Sequence, residues 1–318
     1  LVAHGSVFSN TEKVNIVRRV LLGLDAMGVE AVVTMPDSFD ICRKAQDRLT
    51  LKATVQELDM PVFSTQADTT RAAALMHDMQ IDALISLGGD GTNRALAKTS
   101  GAIPLLPLST GTNNVFPFMF EGTLAGLAAG LVAQGMVTSP ESVVQRPRLD
   151  IFVDDNAVDL ALVDAVVCND ASIAARAIWD ITKVSCIAVA QRLPAQIGFM
   201  ALAGNLPLHD THPHTGMIIH THPDAPPVLA PIAPGLIVPV GVRRYTPLVF
   251  GEPVKLADGP CIIALDGERE VVVRSGERAA IRLNPEGPRV INPHHVLARA
   301  AQQGVFLQEP TALWRDIR

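Results

Sequence analysis

The sequence predicts an α/β chain: an N-terminal, mostly parallel α/β sandwich domain followed by a C-terminal β-rich domain of β-sandwich type. Three observations carry this. Up to Gly135, short apolar or β-branched runs alternate with segments of helical periodicity, the pattern of a parallel sheet covered on both faces. After about Ser139 the texture changes to short β-branched runs separated by Gly, Pro, Asn or Asp. Finally, the apolar run Ile81 to Leu87 leads straight into Gly88-Gly89-Asp90-Gly91-Thr92. That places a glycine turn at the carboxyl end of a strand, where open α/β sheets bind ligands.

Taken in order, Ser9-Asn10-Thr11-Glu12 fits a capping box, in which the serine hydroxyl and the glutamate carboxylate satisfy orphan backbone donors. Val14, Val17, Leu21, Leu24 and Met27 follow at helical spacing, and Gly28 is placed to end the helix. Val29 to Met35 is a short strand closed by Pro36, and a polar helix is expected around Ser38 to Leu49. Asp68 is expected to cap a helix over Thr69 to Gln80. After the glycine turn a helix resumes near Asn93, Ile103 to Leu108 reads as a buried strand, and Glu121 to Gly135 as an Ala/Leu helix. Beyond it, strands are expected at Leu149–Val153, Leu160–Val167, Met217–His222, Leu236–Val240, Cys261–Leu265, Val271–Arg274 and Ala280–Leu283. A helix at His294 to Gln303 and a tail with Trp314 close the chain. The expected division is 1–140 for the α/β nucleotide-binding domain, 145–290 for the β-rich domain, and 291–318 for a helix and tail that pack back on the first domain.

The 318 residues suit two domains at the usual ~100–200 residues each. A charged fraction of 18% with 48% hydrophobic residues excludes a disordered chain, and a net charge of −6 gives no electrostatic reason to bind nucleic acid. Cys42, Cys168, Cys186 and Cys261 are far apart and form no CxxC pair, so they read as buried thiols in a reducing compartment, the cytoplasm. The longest apolar stretch, Val228 to Val242, is broken by Pro231, Pro234 and Pro239, so no membrane-spanning helix is expected there. The chain opens at Leu1 without a methionine and runs directly into a helix signal; the expectation is that an N-terminal piece precedes it. A homodimer is also expected.

Three segments carry chemistry. Glycines at Gly88, Gly89 and Gly91 let backbone N–H groups approach a phosphate, and the following helix start adds a favourable dipole. Asp90 reads in two ways: a helix cap in a tight turn, or a carboxylate that contacts a metal or takes a proton from a hydroxyl. The loop Ser109-Thr110-Gly111-Thr112-Asn113-Asn114 follows a second apolar strand, and its hydroxyls and amides suit ribose or phosphate oxygens as well as an ordinary loop. Asp266-Gly267-Glu268 lies between two apolar runs, where Asp-Gly signals a tight hairpin. His209, His212, His214, His220 and His222 form a cluster that reads either as a Zn²⁺ site or as a polar hairpin.

Together the three segments resemble the NAD kinase and diacylglycerol kinase-like superfamily, whose signature is Gly-Gly-Asp-Gly-Thr, here Gly88 to Thr92. Gly111, Thr112 and Asn114 are similar to the lipid-kinase form of its next motif, and Asp266 to Glu268 to its late Asp-Gly-Glu. At finer grain the run from Leu1 through Gly135 resembles the ATP-NAD kinase-like proteins called acetoin catabolism protein X. The superfamily's opening strand and Asn-Pro-x-Ser/Ala-Gly loop do not appear in these residues. The resemblance implies an ATP-dependent, Mg²⁺-assisted kinase acting on a hydroxyl, with NAD the leading acceptor and NADP the product. The alternatives are a lipid or small-alcohol kinase and a non-catalytic nucleotide-binding regulator linked to acetoin catabolism. It assigns Asp90 the acid/base and metal-linked role. Phosphate and nucleotide binding fall to Gly88, Gly89, Gly91, Thr92, Asn93, Thr110, Gly111, Thr112, Asn113 and Asn114, with a second acidic contribution from Asp266 and Glu268. Mg²⁺ would come with the substrate phosphates.

Overall fold

The structure is a computed structural model that describes residues 6–168, 181–208 and 216–307. Helix α1 (Asn10–Ala26) leads to β1 (Ala31–Thr34), α2 (Ile41–Gln46) and β2 (Thr54–Glu57), the two strands forming a small parallel sheet. Then come α3 (Gln66–Asp78), β3 (Leu84–Gly88), α4 (Asp90–Ala97), β4 (Leu105–Ser109), α5 (Gly122–Ala133) and β5 (Val143–Gln145).

Twelve strands and one helix follow among the described residues: β6 (Arg148–Val153), β7 (Asn156–Ala161), β8 (Asp164–Cys168), β9 (Val184–Val189), α6 (Phe199–Asn205), β10 (Met217–Thr221), β11 (Pro227–Ala233) and β12 (Leu236–Pro247). The rest are β13 (Pro253–Asp258), β14 (Cys261–Leu265), β15 (Glu268–Val273), β16 (Arg278–Asn284) and β17 (Arg289–Ile291). Helix α7 (Pro293–Gln302) ends the described chain's regular structure.

The N-terminal part is parallel α/β and the C-terminal part is antiparallel sheet, as the alternation and its loss after Ser139 predict. A seven-stranded sheet, β11-β12-β10-β9-β8-β14-β15, faces a four-stranded one, β13-β16-β6-β7, across the largest apolar cluster, with Leu149, Ile151, Ile187, Met217, Ile263 and Ile281 fully enclosed. The first part holds the sheet β3-β4-β17-β5, to which the chain returns late: β17 lies parallel to β4 through Val290 and Leu105. Helix α7 then buries Val296 and Ala300 in the cluster that also contains Leu106 and Leu131. Strands β1 and β3 each end their sheet, and α1 lies over both. Its Ile16, Val20 and Leu24 join the cluster above β4, while Val17 and Leu21 pack with Val32 and Leu87.

Several boundaries differ from expectation for local reasons. Ser9 accepts the Glu12 N–H at 3.2 Å, but the Glu12 carboxylate pairs with Arg19 instead of returning to the cap. Helix α3 starts earlier than Asp68 implied: Thr65 is the cap, and Asp68, at the third helical position, accepts the Thr65 N–H at 3.1 Å. The helix expected over 38–49 shrinks to α2, because the Asp37 carboxylate holds the Phe39 and Ile41 N–H groups before it and Arg48 takes φ 64° after it. Strand β2 and helix α6 carry no clear sequence signal. Three cysteines are buried and Cys42 is half-buried, none of the four in a disulfide, with burial pushing Cys42 and Cys186 up to about 12. No helix among the described residues is long and apolar enough to cross a membrane.

Glycine makes the α1–α5 contact. A Cβ on Gly126 would stand 2.2 Å from the Val20 carbonyl oxygen, and one on Gly23 would stand 2.5 Å from that of Thr123. Gly126→Ala therefore sets a helix-propensity gain of about 1 kcal/mol against backbone overpacking. Overpacking wins, and the variant is expected to lose about 1–3 kcal/mol in urea unfolding. An unchanged or raised midpoint would contradict the close approach.

Candidate active site

Parallel pairing sets Gly88 opposite Ser109, so the carboxyl ends of β3 and β4 stand side by side and both chemistry-bearing loops leave from one edge. After β3 the chain turns at Gly89 and enters α4 at Asp90, whose first N–H groups have no intrahelical acceptor. Gly88 is required by the turn: a Cβ there would meet the Thr92 side chain at 2.5 Å. At Gly89 a Cβ would meet the Asn114 Oδ1 at 2.6 Å, so the two loops touch through a missing side chain. Gly91 and Thr92 are half-buried in the first turn of α4.

The second loop is tied internally and from outside. Asn114 Nδ2 donates to Ser109 Oγ at 2.8 Å and to the Gly111 carbonyl at 3.2 Å, and Ser109 Oγ donates to that same carbonyl at 2.6 Å. Residues Ser6 to Phe8 lie along it. Ser6 N–H donates to Thr112 Oγ1 at 2.7 Å, Thr112 N–H to Ser6 O at 2.9 Å, and Phe8 N–H to Thr110 O at 2.8 Å. Thr110 and Gly111 are buried, whereas Thr112 and Asn113 are exposed. Asn93 is fully buried, with its amide bonded to the Gly89 carbonyl at 2.8 Å and its oxygen receiving Ser86 Oγ at 2.6 Å. It braces the turn from behind.

Asp90 joins the loops. Its carboxylate accepts the Val115 N–H at 3.0 and 3.1 Å and the Phe116 N–H at 2.8 Å. Burial pushes this carboxyl up to about 7; the Phe116 and Val115 N–H groups pull it down, and the nearby Asp266 charge pushes it up. A carboxylate in this state takes a proton readily near neutral pH.

Two further acids stand behind it. Asp266 and Gly267 take φ 50° and 81°, the double left-handed turn that Asp-Gly favours, and join β14 to β15. The Asp266 carboxylate is buried and accepts the N–H groups of Leu162, Val163 and Asp164 at 2.8–3.2 Å. Those bonds interrupt the strand expected over Leu160–Val167 and split it into β7 and β8. Burial pushes Asp266 up to about 6 against those donors and Arg94. Asp164, 7% exposed, is raised well above the usual carboxylate range by burial first, then by the charges of Asp266 and Asp90. Glu268 opens β15, paired in register with Leu265.

A cation crosses between the two halves of the molecule here. Arg94 of α4 is wholly buried, with Nη1 3.1 Å from Asp159 Oδ2 on β7 and Nε 3.8 Å from Asp266 Oδ2. Lys98, one turn later, reaches Asp159 Oδ1 at 2.8 Å.

Sequence reasoning missed Asp164, Arg94 and Asp159. The available signal was a lone acid inside the apolar run Leu160–Val167, and an arginine on the inner face of a helix. Of the histidine cluster, His209, His212 and His214 lie outside the described residues. His220 faces Arg244 at 3.1 Å, and a bulge after His220 ends β10 at Thr221, so His222 does not continue the strand. Among the described residues no group of three or more His, Cys, Asp or Glu side chains is placed to hold a metal ion.

Residues 3–136 match the family model described as the ATP-NAD kinase N-terminal domain, and residues 147–286 match that of the acetoin catabolism protein X C-terminal domain. In overall fold the chain is similar to yeast NADH kinase crystallised with NADH, at a TM-score of 0.53 and 13% identity, over 93% of this chain and 86% of that one. In sequence it is 35% identical to a protein of Cupriavidus necator named acetoin catabolism protein X, over 98% of this chain and 92% of that relative. An NAD kinase-type fold whose likeness in sequence runs through both halves at that level places the chain in a family: it belongs to the acetoin catabolism protein X family.

Proposed function

We propose that the protein is an ATP-dependent kinase that phosphorylates a hydroxyl, with NAD the leading acceptor. The observation that supports this best is Asp90: a carboxylate at the junction of two glycine loops, beside a helix start, with its proton affinity raised to about 7. In the reaction the acceptor hydroxyl gives its proton to Asp90 as its oxygen bonds to the γ-phosphorus of ATP. The bond from that phosphorus to the β–γ bridging oxygen breaks, and ADP leaves. The N–H groups at the start of α4 and the narrow turn at Gly88 and Gly89 suit the phosphates. Thr112 and Asn113, exposed on the second loop, suit ribose oxygens. Mg²⁺ is assigned to the nucleotide's own phosphates, whose charge it would neutralise.

One observation favours a second reading, a nucleotide-binding regulator without turnover. The Asp90 oxygens already accept two backbone N–H groups, a latch that would hold the second loop without any chemistry.

Labelled ATP with NAD, and with a panel of other alcohols and lipids, separates the two readings: labelled product requires the kinase. In that assay Asp90→Asn is expected to lower turnover roughly 10²–10⁴-fold. The wild-type kcat should climb as pH rises through about 7; a flat profile would remove Asp90 from the proton transfer.

A stability measurement checks the same carboxyl independently of turnover. Its folded value lies above its ordinary 3.8, so its contribution to stability is complete below about 4 and is lost as pH rises to about 7. Asp90→Asn is therefore expected to gain on the wild type in urea midpoint between those values, and a constant difference would refute the shift.

A further inference from the structure

Arg146 carries a charge that the fold does not match with another. It lies in the link between β5 and β6, with its N–H on the Pro288 carbonyl at 2.9 Å and its own carbonyl so near Gly287 that a Cβ there would stand 2.2 Å away. The root of the side chain is therefore fixed. Its far end has no hydrogen-bond or ion-pair partner among the described residues, and burial pulls the guanidinium below its usual proton affinity. What it meets is aromatic: the guanidinium carbon lies over the Phe116 ring, 5.7 Å from its centre, and over the Phe118 ring at 5.4 Å. A largely buried cation without an anion is costly, and an apolar side chain would fill the space without that cost. The attraction of a guanidinium to two ring faces offsets part of it.

The two rings belong to one short stretch with two different attachments. Phe116, 4% exposed, gives its N–H to the Asp90 carboxylate at 2.8 Å, next to the Val115 N–H at 3.0 Å. Phe118 is tied to β4: its N–H donates to the Pro107 carbonyl at 2.9 Å, and its own carbonyl accepts the Ser109 N–H at 2.8 Å. Val115 and Phe116 lie outside the helices and strands, so no ladder of backbone bonds sets the direction of their N–H groups. One guanidinium joins the ring anchored on β4 to the ring of the residue that holds Asp90.

We propose that Arg146 is a positioning residue for the Asp90 site: its guanidinium clamps the Phe116 and Phe118 rings together and thereby keeps the Val115 and Phe116 N–H groups on the Asp90 carboxylate. The consequence for turnover rests on the kinase reading above; the clamp itself does not. Those two donors favour the ionised carboxylate against its burial. Without the clamp they align less well, and Asp90 keeps its proton to higher pH.

The test uses Arg146→Met, Phe118→Leu and the double variant, each paired with the same protein carrying Asp90→Asn. The infrared difference within each pair, followed across pH, isolates the Asp90 carboxyl, whose midpoint in the wild type is about 7. Arg146→Met is expected to raise that midpoint by about one pH unit, the scale of a weakened charge-assisted hydrogen bond. Phe118→Leu, which keeps the charge, should raise it too, and it carries the test should Arg146→Met not fold. The double variant should rise no further than the larger single change, because both remove one clamp. An unmoved midpoint in Arg146→Met overturns the proposal. So does a shift in Arg146→Met with none in Phe118→Leu, which would mean that charge alone acts, and so does a double variant equal to the two single shifts added. In the labelled-ATP assay the rising limb of kcat should move with the infrared midpoint while KM stays within about twofold; a raised KM over an unmoved midpoint would make Arg146 a ligand contact instead. A wild type that forms no labelled product sinks the kinase reading, and the infrared midpoints still decide the clamp.

Discussion

The guanidinium of Arg94 is the contact on which the site depends. It is carried by the helix that follows the glycine turn, and it ends among carboxylates of the β-rich half, on Asp159 and beside Asp266. Because the residue is wholly buried, no water substitutes for either acid. The helix bearing Asp90 is thereby held against the turn bearing Asp266 by strong, short-range electrostatics in a poorly polarisable interior. The field that Asp90 experiences follows from this: Asp266 stands near it because Arg94 draws the two halves together.

Within that frame the two loops behave as one unit. Asp90 reaches from the first loop to the N–H groups of Val115 and Phe116 behind the second, and Asn114 of the second fills the space left by Gly89 of the first. The carboxylate that suits proton transfer is thus also the latch of the loop that would contact the nucleotide. Its helix-cap alternative recedes, since the carboxylate oxygens face another loop. Residues Ser6 to Phe8 add a third strand of support along Thr110 to Thr112, so the loop is shaped from both sides before any ligand arrives.

Much of this was legible in the sequence, and the limits have physical causes. Periodicity found α1 and α7 because each has one apolar face, composition found α5 because it is rich in Ala and Leu all round, and β14 was found to the residue because Cys261–Leu265 is apolar throughout. Strand β2 was silent: Thr54–Glu57 is short and mostly exposed, so it has little apolar pattern to show. The Leu160–Val167 run was read as one strand because hydrophobicity does not reveal that a carboxylate about a hundred residues away takes its N–H groups. The glycine turn and the second loop were visible as residue types in order. Asp164 was not, because its meaning lies in what surrounds it. Asn93 shows the converse, a residue type suited to nucleotides whose side chain also braces the glycine turn.

The Asp266–Gly267 turn has a consequence for how this region tolerates change. Its first position must accept a left-handed backbone, which asparagine or glycine would do as well as aspartate. It must also supply two anionic oxygens to three backbone donors and stand beside a buried guanidinium, which neither replacement does. Two independent selection pressures therefore fall on one side chain. A substitution table that scores hairpin tips as permissive would misjudge this tip, and genetic variation should be as restricted there as in the middle of the core.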